Sequence, residues 1–457
     1  MRNRLLFGVS LALLPLAGAS ADTLEDALAK AYLSNPTLAG ERANQRSIDE
    51  NLPQALAQRR PTITGQGQGG AGIGNGTAQA QQTLWPYSVS LGVTQPLWTG
   101  GRADAAIDQA NYQIKAERAN LLNTEESVLL QAATAYFDVV NNQAVLDLAI
   151  NNVKVLTQAR DEAKARFNAG LATTTDVAQA EASLQQGYAN QRQAEANLVN
   201  SRAVYRNVVG DWPGTLKPEP PASPLPPSPA AAVQQASIAN PQVLFAKANQ
   251  EAAQAGVDVA RAQLMPSLSL SGLILASGDQ MLAHTWRNDA QVLVTLTVPI
   301  YQAGAEYSKI RQSKETVGST RNQVDAAVRL VVQDTTQAWQ NLEAARAKIK
   351  SFQAQVDANT IAYKGSVEQN RVGTTTTLDV LIVQQNLFQS QVSLVNAQHD
   401  EAVSSYQLKA QIGDLTAQQM ASGCPAATGP GRAAAAPVPT NAPATADRES
   451  ADRAETH

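Results

Sequence analysis

The chain carries one pattern twice, about 203 to 205 residues apart, and each copy mixes helix-like with strand-like segments. Asn35-Pro36 recurs as Asn240-Pro241, and Pro61 as Pro266. Gln95-Pro96-Leu97-Trp98 answers Val298-Pro299-Ile300-Tyr301. Gly170-Leu171 with Thr175-Asp176-Val177 answers Gly373-Thr374 with Leu378-Asp379-Val380, and Val209-Gly210 answers Ile412-Gly413. So little drift over so long a unit reads as a tandem duplication of a large unit, not as a solenoid of short repeats.

Within each copy the helices are too long for a compact domain. No proline or glycine interrupts the chain from about Arg102 to Asn168, which at 1.5 Å per residue predicts a helix of roughly 100 Å. Its apolar residues step by seven through Ile107, Ile114, Leu121, Val128 and Ala135. After a four-residue shift they continue at Val139, Leu146 and Val153, the mark of coiled-coil packing with one stutter. Shorter helices are expected over Thr23–Arg59, with a kink at Pro53, and over Thr174–Val209. Together they equal the long helix and could lie stacked alongside it. The second copy predicts helices over Ala230–Leu264, Ala305–Asn370 and Thr377–Gln411.

Between the first two helices of each copy stand strand-like pairs. Thr62, Thr64, Gln66 and Gln68 alternate with Ile63 and glycines, and Tyr87, Val89, Leu91 and Val93 alternate with small or polar residues. A Gly-Asn-Gly-Thr loop at Gly74 to Thr77 joins them. In the second copy the strands are expected at Ser267–Ala276 and Gln291–Ile300. There Leu268, Leu270 and Ile274 oppose serines, and Val292, Val294, Leu296 and Val298 oppose Gln291, Thr295 and Thr297. Each segment has the length of a tilted bilayer-crossing strand, but a soluble sheet packed on helices shows the same alternation. Four strands cannot close a barrel and an open edge cannot face lipid, so a membrane reading requires several chains to pool their strands.

The ends and the composition fix the compartment. Arg2 and Arg4, the apolar run Leu5 to Leu16 and Ala19-Ser20-Ala21 read as a secretory signal peptide over residues 1–21. A lipoprotein would carry cysteine where Ala19 follows Leu16-Ala17-Gly18. The one cysteine, Cys424, forms no internal disulfide, and past the leader no apolar run is long enough for a spanning helix. The first repeat is assigned to 22–212, a proline-rich extended linker to 213–229, the second repeat to 230–413, and a disordered Ala/Pro-rich tail to 414–457. Aromatics make up only 5% and formal net charge is −4, which fits long lightly packed helices and gives no footing for nucleic acid.

In this arrangement the chain resembles the TolC family of outer-membrane efflux and type I secretion ducts. The resemblance covers about Thr23 to Asp414 and rests on the twice-stated helix, strand pair, long helix, short helix plan. It rests also on the turns Arg166-Phe167-Asn168-Ala169-Gly170-Leu171 and Asn370-Arg371-Val372-Gly373-Thr374, each followed by threonine and then Asp-Val. The fold it implies is an α+β membrane protein, a long α-helical coiled-coil barrel continuous with a transmembrane β-barrel. Each chain gives four strands, twelve per homotrimer. The implied partners are outer-membrane lipid, a periplasmic adaptor (membrane fusion) protein and an inner-membrane transporter of RND or ABC type. The implied place is the outer membrane of a Gram-negative bacterium with a periplasmic extension.

The resemblance also assigns residues. Gly170, Leu171, Gly373 and Thr374 match the turns that dock the adaptor, although a glycine there also serves as a helix C-cap. Asp379 matches an acid lining the closed periplasmic mouth, with Asp176 its counterpart in the first copy. Ile382 stands where the family's best-known member has a second acid, and Thr375 where it has an arginine that helps lock the turns, so the resemblance places the periplasmic gate at Asp379, Asp176, Thr375 and Ile382. Thr173-x-x-Asp176 and Thr376-x-x-Asp379 also read as helix capping boxes. No cofactor, metal or enzymatic activity is expected. Gly67-x-Gly69-x-x-Gly72 opens no helix, and His284, His399 and His457 show no metal spacing. An export duct is the leading function, with a periplasmic coiled-coil structural protein the alternative and a self-sufficient porin a third.

Overall fold

The computed structural model describes residues 23–74, 82–280 and 285–416. The segments expected as leader, as the loop past Gly74 and as the tail from residue 417 lie outside them, as do Cys424, His284 and His457. The first copy's helices are α1 (Leu24–Ser34), α2 (Pro36–Asp49), α3 (Asn51–Ala57), α4 (Arg102–Asn168) and α5 (Thr174–Val209). The second copy's are α6 (Pro229–Ala239), α7 (Pro241–Ala262), α8 (Ala305–Arg371) and α9 (Thr377–Gln411). The strands are β1 (Thr62–Gly69), β2 (Gly72–Gly74), β3 (Gln82–Leu84), β4 (Tyr87–Trp98), β5 (Ser267–Gly278) and β6 (Trp286–Thr297).

Both long helices run 67 residues. The shorter ones stack along them end to end, and one asparagine makes each joint. Asn35 is not helical (φ −66°, ψ 123°), because the Pro36 ring disfavours a helical residue before it. Its N–H donates to Ala31 O, ending α1, while its side-chain oxygen accepts from Thr37 N at 2.9 Å, starting α2. Its amide nitrogen then donates to Val208 O at 3.1 Å, closing the end of α5. Asn240 repeats the device, accepting from Gln242 N and donating to Gln411 O at 2.9 Å. The two stretches expected as single helices from Thr23 and from Ala230 are therefore broken here. The Pro53 disruption falls at Glu50, since proline has no N–H for the carbonyl of Asp49.

α4 packs on α2, α3 and α7 along its first half and on α5 and α9 along its second, and α8 lies beyond α7 and α9. The result is a wall with α8 along one side and α5, α2 and α3 along the other. Six residues of α8 are buried against 22 of α4, so α8 keeps most of its surface free.

The largest core lies at the waist, where Leu24, Leu28, Val128, Leu129, Tyr136, Tyr205, Val209 and Phe388 meet. The linker is strapped across it, with Tyr136 Oη donating to Lys217 O at 2.7 Å and Ala222 N to Ser405 Oγ at 2.7 Å. Leu415, expected in the disordered tail, is fully buried there. Glu126 is buried in the same region, and one carboxylate oxygen has no hydrogen-bond partner among the described residues. Burial, aided by the charges of Glu125 and Asp414, pushes its pKa up to about 8. Between about pH 4.5 and 8 the folded chain then holds a proton that the unfolded chain has lost, so stability falls as pH rises across that window. Glu126→Gln is expected to raise the melting temperature near neutral pH and to leave it unchanged near about pH 4.5, which thermal unfolding at the two pH values measures.

The strands form an antiparallel sheet in the order β1-β4-β5-β6, and β2 with β3 extends the first hairpin as a separate pair. β6 begins at Trp286 and ends at Thr297, earlier at both ends than the alternation predicts, so Val298 lies past it.

Candidate functional site

Register joins the apolar residues of four strands into one face. Ile63 sits opposite Val93, Val93 opposite Gly272 and Gly272 opposite Val292, with Leu91–Ile274, Leu270–Val294 and Leu268–Leu296 alongside. The other face carries Thr64, Gln66, Ser88, Ser90, Ser269, Ser271, Gln291 and Thr295, interrupted only by Leu273, Leu275 and Leu293 among its larger apolar groups. The apolar face is bare, with Val292 75% and Ile63 70% exposed. Exposed aromatics mark both ends, Trp85, Tyr87 and Trp286 at one and Trp98 and Tyr301 at the other. Twelve residues of a strand tilted near 45° span about 25 Å, the height of an apolar band in a membrane barrel. The first and last strands, β1 and β6, have no strand beyond them among the described residues.

At the far end of the wall two turns close the coiled-coil hairpins. Gly170 (φ +71°) and Gly373 (φ +82°) supply the left-handed residue that ends α4 and α8, and both are open to solvent. Leu171 is 79% exposed, and Thr374 is turned back on its own helix, N and Oγ both donating to Gln369 O. Thr375 Oγ reaches Ser366 O at 3.4 Å, and its carbonyl accepts from Asn370 Nδ2 at 3.0 Å. Thr375 therefore braces its own turn.

Both acids are the acceptors of complete capping boxes. Asp176 accepts from Thr173 N and Oγ at 2.8 Å, and Asp379 from Thr376 N at 3.0 Å and Oγ at 2.7 Å. These bonds hold both carboxyls below the usual range, led by the backbone bond at Asp176 and by the side-chain bond at Asp379. Both are thus ionised at neutral pH with their direction fixed. Ile382, one turn along from Asp379, is half exposed. The sequence assigns no role to Arg166 of the first turn, yet its Nη1 donates to Asn370 O at 3.1 Å and ties the two turns together.

A family described as "Outer membrane efflux protein" matches residues 27–211 and 232–414. The outer membrane efflux protein BepC of Brucella suis is 36% identical over 407 residues, covering 88% of each chain. The chain belongs to the outer membrane efflux protein family. Vibrio cholerae TolC is 26% identical over 330 residues, covering 69% of this chain and 74% of TolC. The solved structure of the Campylobacter jejuni CmeC outer membrane channel superposes with a TM-score of 0.75 at 16% identity, covering 86% of this chain and 85% of CmeC. As an outer membrane efflux protein, the chain is an outer-membrane export channel, and its fold is the mostly helical channel-tunnel with a small sheet. That membership accounts for the bare apolar face, which a soluble coiled-coil protein would have to cover.

Proposed function

We propose that three copies close into one duct, a twelve-stranded barrel in the outer membrane continuous with a helical tunnel across the periplasm. The observation that carries this reading is that the sheet and the helix wall are open on the same sides. β1 follows α3 on one side, and β6 leads into α8 on the other. In an antiparallel sheet of four, β6 of one copy meets β1 of the next antiparallel, so the pattern continues around a ring. α8 then meets α5, α2 and α3 of the same neighbour, which would cover apolar groups that one copy leaves exposed, such as Leu330 and Ile361 on α8 and Val199 and Val204 on α5. Each repeat, 22–212 and 230–413, would supply one membrane hairpin and one full-length piece of tunnel wall. Light scattering of detergent-extracted protein should give a trimer, and planar bilayers should show pores. A monomer without pores would undo the duct.

On this reading a periplasmic adaptor docks on the turns at Gly170, Leu171, Gly373 and Thr374, and an inner-membrane pump of RND or ABC type delivers the cargo. Leu171 and Val372, both largely exposed, give that docking an apolar patch. Asp379 of three copies would ring the mouth, with Asp176 outside it and Ile382 narrowing the passage. Asp379→Asn is expected to weaken block by multivalent cations in single-channel recordings, and Asp176→Asn to leave it unchanged. Equal block in wild type and Asp379→Asn would remove the acid from the gate.

A further inference from the structure

Three polar pairs cross the seam between α4 and α9, one partner on each helix. His399 Nε2 lies 2.8 Å from Asp138 Oδ1, Asn141 Nδ2 donates to Asn396 Oδ1 at 3.2 Å, and Gln384 Nε2 donates to Asn152 Oδ1 at 3.0 Å. They follow a single antiparallel register. Three residues forward on α4, from Asp138 to Asn141, go with three back on α9, from His399 to Asn396. Eleven forward to Asn152 go with twelve back to Gln384. Apolar contacts flank these pairs along the seam, with Val153 and Leu156 beside Leu381 and Phe137 beside Tyr406.

Apolar contact is non-directional and tolerates sliding, whereas paired polar groups accept one alignment. The lowest pair is costly to keep. Asn152 and Gln384 are both buried, and Gln384 Oε1 has no partner among the described residues. Two leucines there would be at least as stable, because burying a half-satisfied amide loses free energy. We propose that these three pairs are positioning residues that set where the α8–α9 hairpin lies on α4, with Asp138–His399 a latch that acid tightens.

The surroundings of His399 fit a latch of that sign. Asp138 faces it from α4, Asp400 adjoins it on α9 with Oδ1 3.4 Å from Nδ1, and Glu219 of the linker lines the same cavity of about 170 Å³. Arg346 of α8 is engaged with Glu343 and Glu401. Burial alone would depress the imidazole, but the Asp138 bond and the charges of Asp138 and Asp400 outweigh it and raise its pKa. The charged latch is therefore present below the ordinary histidine value of about 6.5 and is lost as pH rises through the raised one. Asn152 and Arg166 are about 21 Å apart along α4, so a small change at the seam moves the turns.

The link to the mouth rests on the duct reading, but the latch itself does not. The test places spin labels at Leu171→Cys and Val372→Cys, with Cys424→Ser, and measures the distance between the two turns at about pH 5.5 and about pH 8.5. At the lower pH a narrow distance distribution is expected. At the higher pH it should broaden, its mean moving by a few ångströms and by at most about one helical turn of 5.4 Å. In His399→Gln, which keeps a donor toward Asp138 but does not titrate, the two distributions should coincide. Asn152→Leu with Gln384→Leu should broaden both without lowering the melting temperature. The proposal fails if wild type shows one distribution at both pH values, or if His399→Gln still shifts. A trimer that conducts nothing would overturn the duct and leave this measurement intact.

Discussion

Val292→Lys is expected to prevent the protein from assembling in the outer membrane, while Gln291→Lys, at the adjacent strand position, should let it assemble. Val292 stands mid-strand on the bare apolar face opposite Gly272, and Gln291 stands on the polar face opposite Leu273. The two lie at nearly one depth, so only the face differs. A lysine on the lipid side at the bilayer midplane costs about 2–4 kcal/mol, and a ring of three copies bears that cost three times. On the polar side, which lines the pore of the proposed barrel, the ammonium would stay in water, and three of them should shift the pore's preference toward anions. Membrane fractionation together with the trimer band on unheated gels reads the first effect, and reversal potentials in salt gradients read the second. Equal assembly of the two variants would mean that the apolar face does not meet lipid.

Gly100→Ala should be nearly as damaging, and its neighbour shows why. Gly100 and Gly101 turn the chain from β4 into α4, with φ of +64° and +85°. An added Cβ at Gly101 meets open space, so Gly101→Ala bears only the left-handed backbone cost of about 1–2 kcal/mol. At Gly100 the same atom would lie 2.5 Å from Met265 Cβ and 2.8 Å from Pro266 O, where β5 is about to begin. Overpacking of this kind adds about 1–3 kcal/mol, and the backbone oxygen cannot swing aside. Thermal dissociation of the trimer should therefore drop several degrees further for Gly100→Ala than for Gly101→Ala. Equal shifts would show that the join has room to relax.

The long elements were legible because one signal dominates each. The glycine- and proline-free run Arg102–Asn168 and the helices Thr174–Val209 and Thr377–Gln411 have the bounds read from sequence, since capping boxes start the two shorter ones and a left-handed glycine follows the end of each. Asn35 and Asn240 were visible as repeats but not as breaks, although the proline after each is a local signal for one. What the sequence does not show is that each amide also closes the end of α5 or α9, from more than 170 residues away. The seam was not legible either. Asn152 and Gln384 look like ordinary surface amides, and only the α4–α9 register brings them together and buries them. At the turns the sequence found the acids and glycines. It missed Arg166, because its partner is a backbone carbonyl, which has no residue code to match.

The joints at Asn35 and Asn240 bear on how such a chain can diverge. Each asparagine binds three helix ends at one point, so α5 and the stack of α2 and α3 must together keep pace with α4 from turn to membrane. One residue gained in α4 alone would advance its surface by 1.5 Å and about 100°, turning buried side chains outward along half the wall. Substitutions can accumulate singly, but a change in the length of the duct has to be inherited as a matched set across several helices. In this architecture length should be the slow character and sequence the fast one.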